Sequence, residues 1–558
     1  MIGQRFATPK RRRRRLAATA GAGLLAALCL VGAPGAASAS SHQAQIIEAD
    51  PPLLSDPVGT LAQFRALGAN TVRVIVHWDY VAPDPTARTV PAGFNGGSDP
   101  YDYPAANWAP YDVIVNDARR DGITVDFTVA GGAPRWAQGA NIPPQGIADQ
   151  NFAWKPSARL YGGFVHAVGE RYDGTFVPAG SSQPLPAVRF WALWNEPNFG
   201  QDLAPQAIDG SELSVGPMMY RGLVDAGWTA LRQTGHGRNT IVIGGFAAEG
   251  RSGPVNHAHP EGLPGDYAQT KPLPFIRTLY CLDTSDRPMR GRYAQARGCP
   301  TNAAGSRAFR ARHPALFSAN GVADHPYSGG RSPLNSAGLD RNFAIFSQLG
   351  SLEQLLDRVQ TAYGSHKRFS IYSDEYGYIT NPPQTAAYVS PATAAYYLNW
   401  SEYLSWKSPR VASYAQYLLD DPAPGTNVGF TSGLLTDAGQ PKATYFAYRL
   451  ALYLPVTSPR AGAIAEVWGN ARPAHFMSLD GHGTQKVAIQ LRPRGHGAFS
   501  TVKTVTLSGP TAYFEVHVRF GHSGSVRLAY TFPANDAFLP VGVAATTAYS
   551  RLVTLTLR

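Results

Sequence analysis

Eight times along this chain a short apolar, β-branched run is followed by a stretch with helical spacing, and few folds satisfy that alternation. The strand runs fall at 43–48, 71–77, 123–129, 188–193, 240–245, 321–325, 369–373 and 411–417. The run at 71–77, Thr-Val-Arg-Val-Ile-Val-His, is rich in apolar β-branched residues, as a strand covered on both faces requires. Helical spacing occupies 57–67, 109–120, 158–171, 211–233, 274–281, 340–363, 391–406 and 441–453, with Gly68 and Gly122 as stop signals. Strict alternation predicts a parallel sheet of the α/β class. Eight units favour closure into a (β/α)8 TIM barrel over 44–455. The open doubly wound alternative is weakened because no dinucleotide-binding glycine fingerprint or phosphate loop occurs. The excess length sits in 78–108, 130–157, 246–273 and 283–320, loops that follow strands and so line the face where barrels keep their chemistry.

The tail reads differently. From 461 to 558 short alternating runs such as 486–491, 513–518 and 553–557 are separated by Gly, Pro and Asn turns, with no convincing helix. This predicts a smaller C-terminal antiparallel β-sandwich domain, read as a buttress for the barrel.

The N-terminus is set aside before any fold argument. Lys10 and Arg11 to Arg15 are followed by the apolar Leu16–Val31 and the small residues Ala37, Ser38 and Ala39. That order predicts a signal peptide over 1–39, a secreted, extracellular mature chain and no stable membrane insertion after its removal. The paired arginines also admit the twin-arginine route. The formal charge is +11, and Arg5, Lys10 and Arg11 to Arg15 supply seven of those charges. The mature chain is left near +4, the difference between eleven and seven, which argues against a nucleic-acid partner. Two cysteines remain, Cys281 and Cys299, and an oxidising compartment favours their pairing.

The chemistry concentrates at two strand ends. Trp191-Ala-Leu-Trp194-Asn195-Glu196-Pro197-Asn198 ends the fourth strand with a carboxyl beside tryptophans, where partial desolvation raises its pKa. Phe369-Ser-Ile-Tyr-Ser-Asp374-Glu375 ends the seventh strand. Tips of strands four and seven face each other across an eight-stranded mouth, and paired carboxyls are the machinery of glycoside hydrolysis. Strand alternation turns only one of Asp374 and Glu375 inward. Glu375 is taken as the nucleophile and Asp374 as a supporting residue. His257, His259 and Asp266 read as an irregular loop rather than a metal site, and the chemistry needs no metal or cofactor.

Taken in order, these motifs resemble clan A of the glycoside hydrolases, retaining glycosidases on a TIM barrel. Gly131-Gly-Ala-Pro-Arg-Trp136-Ala and Asn198 after Glu-Pro are more similar to family 39, with family 5 the runner-up. The resemblance implies Glu196 as acid/base and Glu375 as nucleophile. It implies Asn195 at a sugar hydroxyl, Arg73 supporting the nucleophile, and His325 and Tyr327 lining its pocket. Trp78, Trp136, Trp194 and Trp400 are candidates for stacking on sugar, Trp136 the foremost and Trp400, within a helix, the least. The expected partner is a carbohydrate substrate, and the expected carboxyl separation is about 5–5.5 Å, the spacing for retention. A transglycosidase on the same site, or a barrel that binds sugar without cutting it, are the alternatives.

Overall fold

The computed structural model describes residues 43–558, except 143–151, 208–213, 252–267, 386–387, 425–428, 496, 508, 510 and 535–545. The predicted signal peptide, and the loop with His257, His259 and Asp266, lie outside the described residues.

Eight parallel strands close into a barrel in chain order. They are β1 (Ala44–Glu48), β2 (Thr71–His77), β3 (Thr124–Ala130), β4 (Phe190–Leu193), β5 (Thr240–Ala247), β6 (Gly321–His325), β7 (Ser370–Ser373) and β8 (Val411–Tyr417). The seam closes where β1 pairs β8, from Ala44 opposite Ser413 to Glu48 opposite Tyr417. In β2, Val72, Val74 and Val76 are fully buried in the apolar core. The alternating Arg73, Ile75 and His77 take the other face, Arg73 bonding Thr128 inside the barrel and Ile75 and His77 lining the mouth.

Helices fill the crossovers, several with boundaries other than those predicted. The one over 340–363 begins only at Leu349, after a 3-10 turn, and the one over 441–453 stops at Arg449. The stretch 283–320, read as a loop, is partly helical. It holds short helices Gly291–Ala296, Ala303–Arg312 and Ala315–Ser318, and Cys281 and Cys299 form a disulfide there. No helix among the described residues is long and apolar enough to cross a membrane.

Beyond the barrel come two antiparallel sheets. One has the order β13-β10-β9, from β9 (Leu450–Tyr453), β10 (Ile464–Ala471) and β13 (Tyr513–Arg519). The other joins β11 (Lys486–Pro493), β12 (Ser500–Thr506), β14 (Gly524–Thr531), β15 (Thr547–Tyr549) and β16 (Val553–Leu555). Residues 450–453, read as the end of a helix, are therefore a strand of the first sheet. The tail also holds a helix, Pro473–Leu479, contrary to expectation.

The tail is joined to the barrel by buried polar contacts. Arg472, fully buried, donates to the Glu402 carboxylate and to the Tyr448 carbonyl, and the Tyr513 hydroxyl donates to Glu402 at 2.9 Å. Gln45 of β1 donates to the Thr511 carbonyl at 3.0 Å, and the Tyr513 hydroxyl lies 3.3 Å from the Gln43 side-chain oxygen. Gly68, in the left-handed conformation at φ 84°, ends helix Pro57–Leu67, and a Cβ there would sit 2.3 Å from the Arg472 carbonyl carbon.

Candidate active site

β4 stops at Leu193, and the next three residues turn its end into the barrel mouth. Trp194 and Glu196 both have positive φ, 75° and 35°, unusual for side-chain-bearing residues. Such strain persists only where neighbours over-determine it. Here Asn198 does so, donating to the carbonyls of Ala247 and Thr270 and accepting from the Ala247 amide. The turn is thereby pinned to the end of β5, and Glu196 faces the barrel axis.

Opposite it, β7 ends at Ser373, so Asp374 and Glu375 lie just past the strand and its alternation does not separate them. Both side chains reach inward, unlike the prediction. Asp374 lies 3.6 Å from Arg73 Nε and 3.5 Å from His325 Nε2. Glu375 accepts from Arg73 Nη1 at 2.7 Å and from the Tyr327 hydroxyl at 3.1 Å.

His325 stands between the two glutamates. Its Nδ1 is 2.8 Å from Glu196 Oε1 and 3.4 Å from Glu375 Oε2. Burial alone would lower the ring pKa, but the charges of Glu375, Asp374 and Glu196 override it and raise it to about 10. Glu196 and Glu375 then part company. Burial raises Glu196 above the usual carboxyl range, with the charge of Glu375 adding to it. Burial would raise Glu375 too, but His325 and Arg73 outweigh it and leave this carboxyl below its ordinary value. A carboxylate oxygen of Glu196 lies within 4.8 Å of one of Glu375.

Arg73 collects the rest. It donates to Glu48, to Thr128 at 3.0 Å and to the Asn195 side-chain oxygen at 2.6 Å. Asn195 in turn donates to Asp202 at 2.9 Å. Glu48 and Asp202 were not foreseen. Their only sequence signals are an acid as last residue of the first strand and an acid six residues beyond Glu196. Burial pushes both carboxyls well above their usual values.

Glu196, His325 and Glu375 are spaced as metal ligands could be. The donor set does not fit a cation, because His325 holds its proton up to about 10 and Arg73 already neutralises Glu375.

The tryptophans fall elsewhere. Trp78 is fully buried, stacked on Phe164 at 5.7 Å between centroids. Trp136 is 6 % exposed, donates to the Pro83 carbonyl and rests on Phe94, so its ring belongs to the core and not to a sugar platform. Trp194 is buried edge-on to Tyr161. Trp400 stacks on Tyr453 of β9. The space above the glutamates, about 470 Å³, is lined instead by Phe199, Tyr327, Tyr388, Tyr417 and Phe430, a size suited to a small ligand.

No protein-family model matches the chain, and no curated protein matches it in sequence. Among solved structures, a family 39 glycoside hydrolase from Bacteroides cellulosilyticus WH2 is 14% identical, with a TM-score of 0.44, over 86% of this chain and 80% of that one. A glucosidase from Croceicoccus marinus is 14% identical with a TM-score of 0.44, over 87% and 94% of the two chains. A family 1 β-glucosidase from Thermotoga maritima is 12% identical with a TM-score of 0.43, over 74% and 97%.

Proposed function

We propose that this chain is a retaining glycosidase, exported from the cell, that cleaves an O-glycosidic bond through two displacements at the anomeric carbon. One observation carries the reading. Glu375, buried, and Glu196, half-buried, have oxygens within 4.8 Å of each other across a barrel mouth and pKa values displaced in opposite directions. That difference assigns an acid and a nucleophile to chemically identical side chains.

Glu196 holds its proton, donates it to the leaving oxygen, and later takes one from the attacking water. His325, cationic, donates from Nδ1 to Glu196 Oε1, which leaves Oε2 to carry the transferable proton. Glu375 is ionised, aimed by Arg73 and Tyr327, and attacks the anomeric carbon to form the glycosyl-enzyme. The close approach of the carboxyls supports retention, which uses about 5–5.5 Å, over inversion, which uses about 6.5–9.5 Å. The basic, apolar N-terminal segment supports export, as does the Cys281–Cys299 disulfide, a bond kept in oxidising compartments.

The test is the stereochemistry of the first-formed product. Aryl glycosides of both anomers are offered, and proton magnetic resonance follows the sugar released. A product with the substrate's configuration is expected. The opposite configuration sinks the nucleophile role of Glu375, and sugar binding with no turnover of any glycoside sinks the enzyme reading.

A further inference from the structure

The cleft has an arm that bond cleavage does not use. Two cavities of about 190 and 540 Å³ lie on its β1–β3 side. Both adjoin the central space at Ile75, and they share His77 and Tyr80 with each other. The smaller also borders Asn195 and Asp202, and the larger Glu48 and Tyr417, so a chain of sugars could run from the glutamates into this arm.

Tyr80 is 59% exposed, although Trp78, two residues earlier, is fully buried. One face of its ring rests on His77, with centroids 4.4 Å apart and planes 21° from parallel. His77 is itself held by Asp50, Nε2 to Oδ2 at 3.2 Å. The ring is thus backed on one face and open to the cleft on the other, an arrangement that suits the C–H face of a pyranose. Around it, Oδ1 of Asp50 and Oδ1 of Asp79 are buried without hydrogen-bond partners. An unpaired buried acceptor is costly, and a sugar O–H or N–H donor would relieve it.

The lack of a basic side chain in the walls narrows the ligand. Seven Asp and Glu side chains line the three cavities, and among the described residues no Lys or Arg does. A uronate or sulfated sugar entering this arm meets no Lys or Arg to pair with, and a histidine already paired with Asp50.

We propose that the β1–β3 arm is a glycan subsite that takes a neutral or amino-substituted pyranose on Tyr80 and rejects anionic sugars, an inference that rests on the glycosidase reading. Calorimetric titration of the full chain carrying Glu375→Gln, so that nothing is turned over, tests it. The probes are tetramers of β-1,4-linked glucosamine, β-1,4-linked glucose and α-1,4-linked galacturonate. At least one of the first two is expected to bind, and the galacturonate at least tenfold more weakly. Adding Tyr80→Ala should weaken binding about tenfold, the worth of one good ring stack, and Tyr80→Trp should restore it. Equal affinity for galacturonate, unchanged affinity without the Tyr80 ring, or no binding of either non-anionic tetramer overturns the subsite. Aryl-glycoside turnover by the wild-type chain is read separately. Turnover with a failed titration rejects the subsite alone, and absent turnover rejects the cleavage reading.

Discussion

Nδ1 of His325 lies 2.8 Å from Oε1 of Glu196, and the same ring faces Glu375 and Asp374. One buried cation therefore sets the titration of both catalytic candidates. Activity requires Glu375 ionised and Glu196 protonated. The pH profile of kcat/KM should rise through a value below the usual carboxyl range and fall through one above it. His325→Asn removes a charge that lowers Glu375, so the rising limb should move to higher pH. A rising limb that stays where it was would deny His325 this influence.

The two glutamates should also separate by leaving group. Glu196→Gln is expected to slow cleavage of a poor leaving group by about 10²–10⁴-fold, the usual worth of general acid catalysis. A dinitrophenyl leaving group needs no proton, and its first displacement should be far less affected. Glu375→Gln should cost roughly 10⁴-fold or more with either, because the covalent step itself is lost. Pre-steady-state release of the phenol distinguishes the cases.

Asp126 of β3 is fully buried, and neither carboxylate oxygen has a hydrogen-bond partner. Burial first, and the charge of Asp374 second, push its pKa from the usual 3.8 to about 8. Between those values the native state keeps a proton that the unfolded chain has lost, so stability falls as pH rises. His325, raised from 6.5 to about 10, adds a loss of the same sign between those values. The thermal stability of wild type should therefore fall from pH 4 toward pH 8, and Asp126→Asn should flatten that slope (the pH range follows the two Asp126 values). An equally steep variant would place the dependence elsewhere.

The Arg472–Glu402 pair joins the tail to the barrel where both side chains are buried. Removing one member strands the other's charge, so Arg472→Ala should destabilise the chain by about 3–5 kcal/mol. The double change of Arg472 and Glu402 to Met and Leu should cost less than Arg472→Ala alone, because no charge is left unpaired. Chemical denaturation of the two variants beside wild type measures both.

Much of this was legible beforehand, for a physical reason. Strands buried on both faces must be written in Val, Ile and Phe, so β2 and β3 announce themselves, and their order fixes which tips oppose. Arg73, Glu196, His325, Tyr327 and Glu375 then converge as expected. Ring orientation was not legible. Whether Trp136 faces sugar or protein is decided by Phe94 and Pro83, far from it in sequence. Asp374 was misjudged because alternation holds only within a strand, and β7 ended at Ser373. Residues 450–453 continue an aromatic helical stretch, and only pairing with β10 makes them a strand. Helix Pro473–Leu479 is too short for its periodicity to stand out.

The contacts of Gln43 and Gln45 with Tyr513 and Thr511 lie beside the seam where β1 meets β8. They make the ends of the described chain hold one another. During synthesis β1 emerges first and has only β2 as a neighbour, while its other edge stays open until β8 arrives. The contacts that hold Gln43 and Gln45 come later still, from Tyr513 and Thr511. A nascent chain that has not yet released residues 411–417 would thus carry an exposed strand edge on β1. The barrel closes only with its eighth strand, and the tail that clasps β1 is made after it.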